Sequence, residues 1–374
     1  MTIPSPLQQT LEQYEVEYTV QHEETQREGA ATGQFDTQLL CEFLPWGDNG
    51  CFVLATTGIV ELEYAALQKS AAIFDAACRG TIELTGEDRI ECINRLTTQQ
   101  LLDIKAGESR LAFITSRKGG IIADAIIHIL PDKVLVDLDA TVVEQVIDHL
   151  NSYIVMEDVK VQNCTESTHW LWILGPESNT YITNEGNTFQ LPKGFLGIEG
   201  VAIATNPNNV IAMWEQFVKQ GVRPTGWYAL NMARVEQGVP LFMIDFDTKN
   251  LPHETSLVQS RVRFDKGCYL GQEIVARLES LGQPKRRLVQ LKMQTDDLPI
   301  SGAQLWEDDS GSGTPVGVIT SSAISPLRGG VPAVIAMIGK KNAVNGSNIY
   351  TFVGQEIVSA EIAELHSSHN EDTT

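Results

Sequence analysis

The residues best suited to chemistry lie between Phe264 and Arg277, in the stretch FDKGCYLGQEIVAR. Cys268 follows the Lys266 ammonium by two residues, and Ile274 and Val275, with Glu273 and Arg277 four apart, read as a helix that begins at about the cysteine. A thiol at a helix start meets unpaired N–H groups and the positive end of the helix dipole. With a lysine beside it, that setting favours the thiolate, which is the reactive form. Gly267 and Gly271 remove side chains where a backbone or a ligand comes close. Cys268 and Lys266 are therefore candidate catalytic residues. The same residues also suit a plainer arrangement, in which a small buried cysteine lies beside two turn glycines and an exposed Glu273–Arg277 pair.

Positioning such a thiol requires a mixed α+β scaffold, and the rest of the chain reads as one. Glu61 to Phe74 has apolar residues at helical spacing. Gly80–Gly86 alternates as a strand, Glu87–Gln99 reads as a helix, and Arg110–Thr115 reads as a strand. Ile121–Leu130 and Lys133–Leu138 form a hairpin around Pro131-Asp132. Thr141–Ile154 is amphipathic, Val159–Val161, Trp170–Leu174 and Val201–Ala204 are strands, and Asn208–Lys219 and Trp227–Glu236 are helices. Leu7, Leu11 and Tyr14 allow one short helix in the acidic N-terminal segment. After Gly282-Gln283-Pro284 the chain becomes rich in Val, Ile and Gly with recurrent turns, which predicts a small all-β barrel.

With 374 residues the chain has room for two or three domains and a large core. The formal charge of −21 argues against a general nucleic-acid or anionic-membrane surface. No apolar run reaches membrane-spanning length. The N-terminus has neither a basic-then-apolar signal nor the basic character of a mitochondrial transit sequence. The six cysteines are scattered without a C-x-x-C pair, so neither a disulfide framework nor a zinc knuckle is expected, and reduced thiols in a cytoplasm fit. The histidines lack metal-ligand spacing, and His366 and His369 fall in a polar tail.

The string K-G-C-Y-x-G-Q-E, unbroken at Lys266, Gly267, Cys268, Tyr269, Gly271, Gln272 and Glu273, resembles the signature of the YgfZ folate-binding proteins. These are relatives of the glycine-cleavage T-protein (aminomethyltransferase) that support iron–sulfur enzymes. Ile73-Phe74-Asp75, Arg79-Gly80 and Leu96-Thr97-Thr98 follow the T-protein order. Gly119-Gly120-Ile121-Ile122-Ala123-Asp124 resembles its G-G-I-I-D-D segment, with Ala123 at the first acidic position and Asp124 kept. Ala233 to Leu241 resembles R-x-E-x-G-x-P-L, in which the glutamate, here Glu236, binds the pterin. Asp245, Asp247, Leu251, Pro252, His253 and Glu254 resemble D-x-D-x-x-x-L-P-Q-E, with His253 replacing the usual Gln.

The resemblance implies a T-protein-like folate-binding fold of two α+β units plus a C-terminal small β-barrel, arranged as a ring with a central cavity. Residues 1–60 would be a partly mobile N-terminal extension, 61–175 the first α+β unit, 176–284 the second, 285–363 the barrel and 364–374 a disordered tail. It implies tetrahydrofolate or a derivative as cofactor, held by Glu236, Asp124, Arg277, Tyr269 and Gln272, with Asp124 also catalytic and no bound metal. Either Arg277 or the basic run Lys285-Arg286-Arg287 would meet the anionic polyglutamate tail of a folate; the run also suits a solvated linker. Expected partners are folate and iron–sulfur client or assembly proteins, with no membrane or direct nucleic acid. The implied function is a folate-binding protein supporting iron–sulfur cluster assembly or repair, with Cys268 as its functional thiol. One alternative is a tetrahydrofolate-dependent aminomethyltransferase. A second is a tRNA-modification factor acting indirectly through iron–sulfur enzymes.

Overall fold

The computed structural model describes residues 5–8, 10–11, 41–47, 50–181, 187–192, 194–282 and 284–365. Residues 6–8 and 10–11 of the predicted N-terminal helix are helical, with Leu7 and Leu11 buried, whereas Tyr14, the expected mobility of the acidic segment and the histidine-bearing tail fall outside the described residues. The chain divides into two compact units, one made of Met1–Gly80, Cys164–Gln190 and Glu199–Leu230, the other of Thr81–Asn163, Leu191–Ile198 and Asn231–Thr374.

The first unit is built on a five-stranded sheet, in the order Thr188–Gln190, Gly200–Thr205, His169–Leu174, Ala72–Asp75 and Arg223–Thr225. The helix Val210–Lys219 covers it, burying Val210, Trp214 and Phe217 on one stripe against Ile73, Leu171, Ile173 and Ile203. The predicted helix from Glu61 to Phe74 is corrected here. The helix spans Val60–Lys69, and Ala72–Asp75 is a strand buried at every position. A strand flanked by neighbours on both edges and covered on both faces has a continuous apolar run, which helical spacing cannot distinguish from a buried helix.

The second unit holds a five-stranded sheet in the order Ser109–Thr115, Ile121–Ile129, Val134–Asp139, Arg79–Thr85 and Lys160–Asn163, with the last residues of the first unit starting the Arg79–Thr85 strand. The predicted hairpin is present, with Ile127 opposite Val136. The helix expected over Glu87–Gln99 is shorter, Arg89–Leu96, because Thr97 turns extended and bridges Ile114.

The C-terminal β-barrel is also present. Arg286–Met293, Pro332–Gly339, Gly317–Ile324, Gln304–Trp306, Asn348–Val353 and Glu356–Ala363 close on themselves in that order, and closure removes the exposed sheet edge. The strand Pro332–Gly339 shows how the barrel joins the sheet. Val334, Ala336 and Ile338 fill the barrel interior, while the alternate residues Ala333, Ile335 and Met337 pack into the core that contains Phe113, Ile127 and Val275. Among the described residues, no helix is long and apolar enough to cross a membrane.

Candidate functional site

The motif turn hangs between a short helix, Val258–Arg261, and a longer one, Gln272–Leu281. The expectation that Cys268 starts a helix is corrected: the helix begins at Gln272 and Cys268 lies in the turn before it. Gly271 takes a left-handed backbone, φ 84°, and an α-helix cannot run back through that conformation to the cysteine. Cys268 is a free, exposed thiol, whereas Cys41 is half-buried and Cys51, Cys78, Cys92 and Cys164 are buried.

Lys266 is buried rather than presented to solvent. Its Nζ donates to the carbonyl oxygens of Asn94 at 2.6 Å, Thr97 at 2.8 Å and Gln99 at 2.7 Å. It also lies 5.3 Å from the centre of the Tyr269 ring. Burial pulls the Lys266 pKa down to about 8 and pushes the Tyr269 phenol up to about 12. The Leu270 N–H donates to the Arg95 carbonyl, and the Leu270 carbonyl accepts from the Thr115 hydroxyl at 2.6 Å. Leu96-Thr97-Thr98 is therefore a seat for the motif turn: Thr97 receives Lys266, and the Thr98 hydroxyl donates to the Arg261 carbonyl at 2.6 Å. Gln272 is half-buried at the first turn of its helix, while Glu273 and Arg277 are exposed on it.

Asp124 sits on the all-buried strand Ile121–Ile129, only 5 % exposed. Both its oxygens face Arg261: Nε lies at 3.2 Å from Oδ1 and 3.4 Å from Oδ2, and a terminal nitrogen at 3.3 Å from Oδ2. The other terminal nitrogen of Arg261 donates to the Gly194 carbonyl and the Ser260 hydroxyl. The carboxylate expected to meet a ligand is thus closed by a guanidinium. Sequence reasoning missed Arg261. Local sequence gave little signal for it, because Leu257 to Val262 reads Leu-Val-Gln-Ser-Arg-Val, in which an arginine beside Gln259 and Ser260 looks like a surface residue.

Glu236 ends the helix Trp227–Glu236 and is buried. Its Oε1 accepts from the Ser325 hydroxyl and from the Leu327 N–H at 3.2 Å. Two residues earlier, Arg234 is ion-paired with Asp245 at 2.7 Å, both side chains fully buried. His253 pairs with Glu279 at 3.1 Å, and burial pushes its pKa below the usual value against the opposing pull of that carboxylate. Arg286 and Arg287 of the basic run are engaged within the protein, the first with Glu254 and the second with the Ala343 carbonyl and Glu364.

A groove of about 680 Å³ lies beside the motif, lined among others by Gln99, Gln259, Arg263, Phe264, Asp265 and Arg287. Neither Cys268, Asp124 nor Glu236 lines it.

Comparison with known proteins meets this geometry at the level of the fold. The GCVT N-terminal domain family matches residues 22–191. The crystal structure of the glycine cleavage system aminomethyltransferase T from Bartonella henselae superposes with a TM-score of 0.76 at 20 % identity, covering 88 % of this chain and 94 % of that one. This chain has the T-protein fold. Among curated proteins, the aminomethyltransferase of Staphylococcus carnosus is 26 % identical over 331 residues, 82 % of this chain and 89 % of the relative. That of Halothermothrix orenii is 24 % identical over 356 residues, 87 % and 95 % of the two chains.

Proposed function

We propose that this protein binds tetrahydrofolate or a derivative and presents Cys268 as a functional thiol in support of iron–sulfur cluster assembly or repair. The observation that carries this reading is the exposure of Cys268, alone among six cysteines, on a turn fastened to the end of the helix Arg89–Leu96 by Lys266 and Leu270 and to the strand Ser109–Thr115 by the Thr115 hydroxyl. An exposed thiol on a held turn suits contact with a partner's thiol or cluster better than a packing role.

Of the two carboxylates assigned to the folate, Glu236 suits it. It is buried at a helix end, and its Oε1 accepts from neutral donors, the Ser325 hydroxyl and the Leu327 N–H, in whose place the N–H edge of a pterin would bond. Asp124 does not suit it, because Arg261 occupies both oxygens. A bound folate would supply one-carbon chemistry; holding its ring would fall to Glu236.

Aminomethyl transfer is the second reading, favoured by the relatives that carry that name. It requires a carboxylate that steers an amine and stabilises a cationic intermediate. Ala123 at the first acidic position and the closed Asp124–Arg261 pair weigh against it.

Two measurements test the proposal. Cys268→Ser is expected to fail to restore iron–sulfur enzyme activity in cells lacking the protein; full restoration would remove the thiol from the function. Calorimetry with tetrahydrofolate is expected to show binding that weakens about tenfold or more in Glu236→Ala, a loss of about 1.4 kcal/mol. Ser325→Ala, which breaks the turn contact but keeps the carboxylate, should retain most of that affinity. No binding by the wild type, or equal loss in both variants, would count against Glu236 as the pterin acceptor.

A further inference from the structure

We infer that Lys266 is a positioning residue, a cationic clamp that fixes the Cys268 turn onto the C-terminal end of the helix Arg89–Leu96 without itself touching substrate. This rests on the reading of Cys268 as the functional thiol, but the geometry concerns the turn alone. A helix leaves its last carbonyls without intrahelical donors and carries partial negative charge there. Asn94 lies in that last turn and Thr97 is the cap residue, and both carbonyls, with that of Gln99, converge on one nitrogen. An ammonium has three N–H donors, which matches the three acceptors. The lysine is 169 residues beyond Thr97 in sequence, so the cap is tertiary: what closes the helix also pins the turn.

The neighbours make this a clamp rather than an ion pair. Asp265 is engaged with Arg263, and Arg95 with Glu157. The phenol of Tyr269 stays neutral across the physiological range. Among the described residues, no carboxylate lies within ion-pair distance of Nζ. The charge is therefore balanced by carbonyl dipoles, and its full effect needs all three N–H groups. Gly267 follows at once with open space around it, so the backbone next to the thiol is held from Lys266 on one side and from Leu270 on the other.

Amide hydrogen exchange tests the clamp on the full chain. In Lys266→Met, which keeps the stem and removes the donors, exchange at Gly267–Leu270 is expected to rise about tenfold or more. Exchange in the strand Ile121–Ile129 should stay within about twofold of the wild type. A trifluoromethyl probe on Cys268 should report the same local loosening as a narrower resonance. Unchanged exchange at the turn would overturn the inference, and so would an equal rise throughout the unit, which would make Lys266 a general stabiliser. If the variant does not fold, the wild type carries the test. Between pH 7 and about pH 9.5 the ammonium loses a donor, and exchange at the turn, corrected for its intrinsic rate, is expected to rise locally; no local rise would overturn the clamp. The exchange readout is independent of any client, so failure of the Cys268→Ser test would sink the functional reading while leaving the clamp measurable.

Discussion

Replacing Arg261 by methionine is expected to destabilise the protein by about 3–5 kcal/mol, because removing one partner of a buried ion pair leaves an uncompensated charge inside. Arg261 is fully buried and Asp124 nearly so, and the guanidinium makes bonds to both carboxylate oxygens. It also holds the Gly194 carbonyl, so the segment Leu191–Ile198 loses its tie to the sheet together with the charge. The loss should appear as a fall of several degrees or more in the thermal midpoint. In Asp124→Asn/Arg261→Met no ion remains unpaired, and much of the stability should return, since replacing a whole buried pair is far milder than breaking it. If the single variant melts within about a degree of wild type, the pair is not the closed anchor described above. Asp124 would then regain its standing as a carboxylate available to a ligand, and with it the case for aminomethyl transfer.

The Asp124–Arg261 pair also marks where sequence reasoning stops. Regular elements with a clear period were legible: the hairpin around Pro131-Asp132 and the barrel strands follow apolar alternation and turn residues. The Ala72–Asp75 strand was not, because a strand buried on both faces has no period to read. The motif itself was legible as a string, but its internal roles were not. Lys266 looked like a neighbour of the thiol because it is two residues away in sequence, yet its ammonium ends on carbonyls of residues 94, 97 and 99. Arg261 meets Asp124 across 137 residues, and Glu236 meets Ser325 across 89. Such pairings are set by how strands and turns dock, and local spacing carries no information about them. Leu96-Thr97-Thr98 is the instructive middle case. Its likeness to the T-protein order placed it among the residues of interest, and only the folded geometry showed that it seats the Cys268 turn.

Gly271→Ala is expected to cost about 2–4 kcal/mol, while Gly267→Ala, four residues away in the same motif, is expected to stay within about 0.5 kcal/mol of wild type. The two glycines do different work. Gly271 has φ 84°, and an added Cβ would lie 2.5 Å from the Ser116 carbonyl oxygen and 3.1 Å from the Gly119 Cα. Those are backbone atoms of the turn between the strands Ser109–Thr115 and Ile121–Ile129, so the clash cannot be relieved by a side-chain rotation. The left-handed conformation adds its own penalty for any residue with a Cβ. Gly267 has nothing within 4 Å of an added Cβ and no left-handed backbone. Thermal midpoints of the two variants, measured side by side, decide between these roles. The loss in Gly271→Ala should come with faster exchange at Tyr269–Gln272, because the helix start must lift off the Ser116 turn and take the Leu270 carbonyl away from the Thr115 hydroxyl. Equal midpoints for the two variants would mean that the close approach at Gly271 does not fix the turn, and the exposed thiol would then owe its position to the Lys266 side alone.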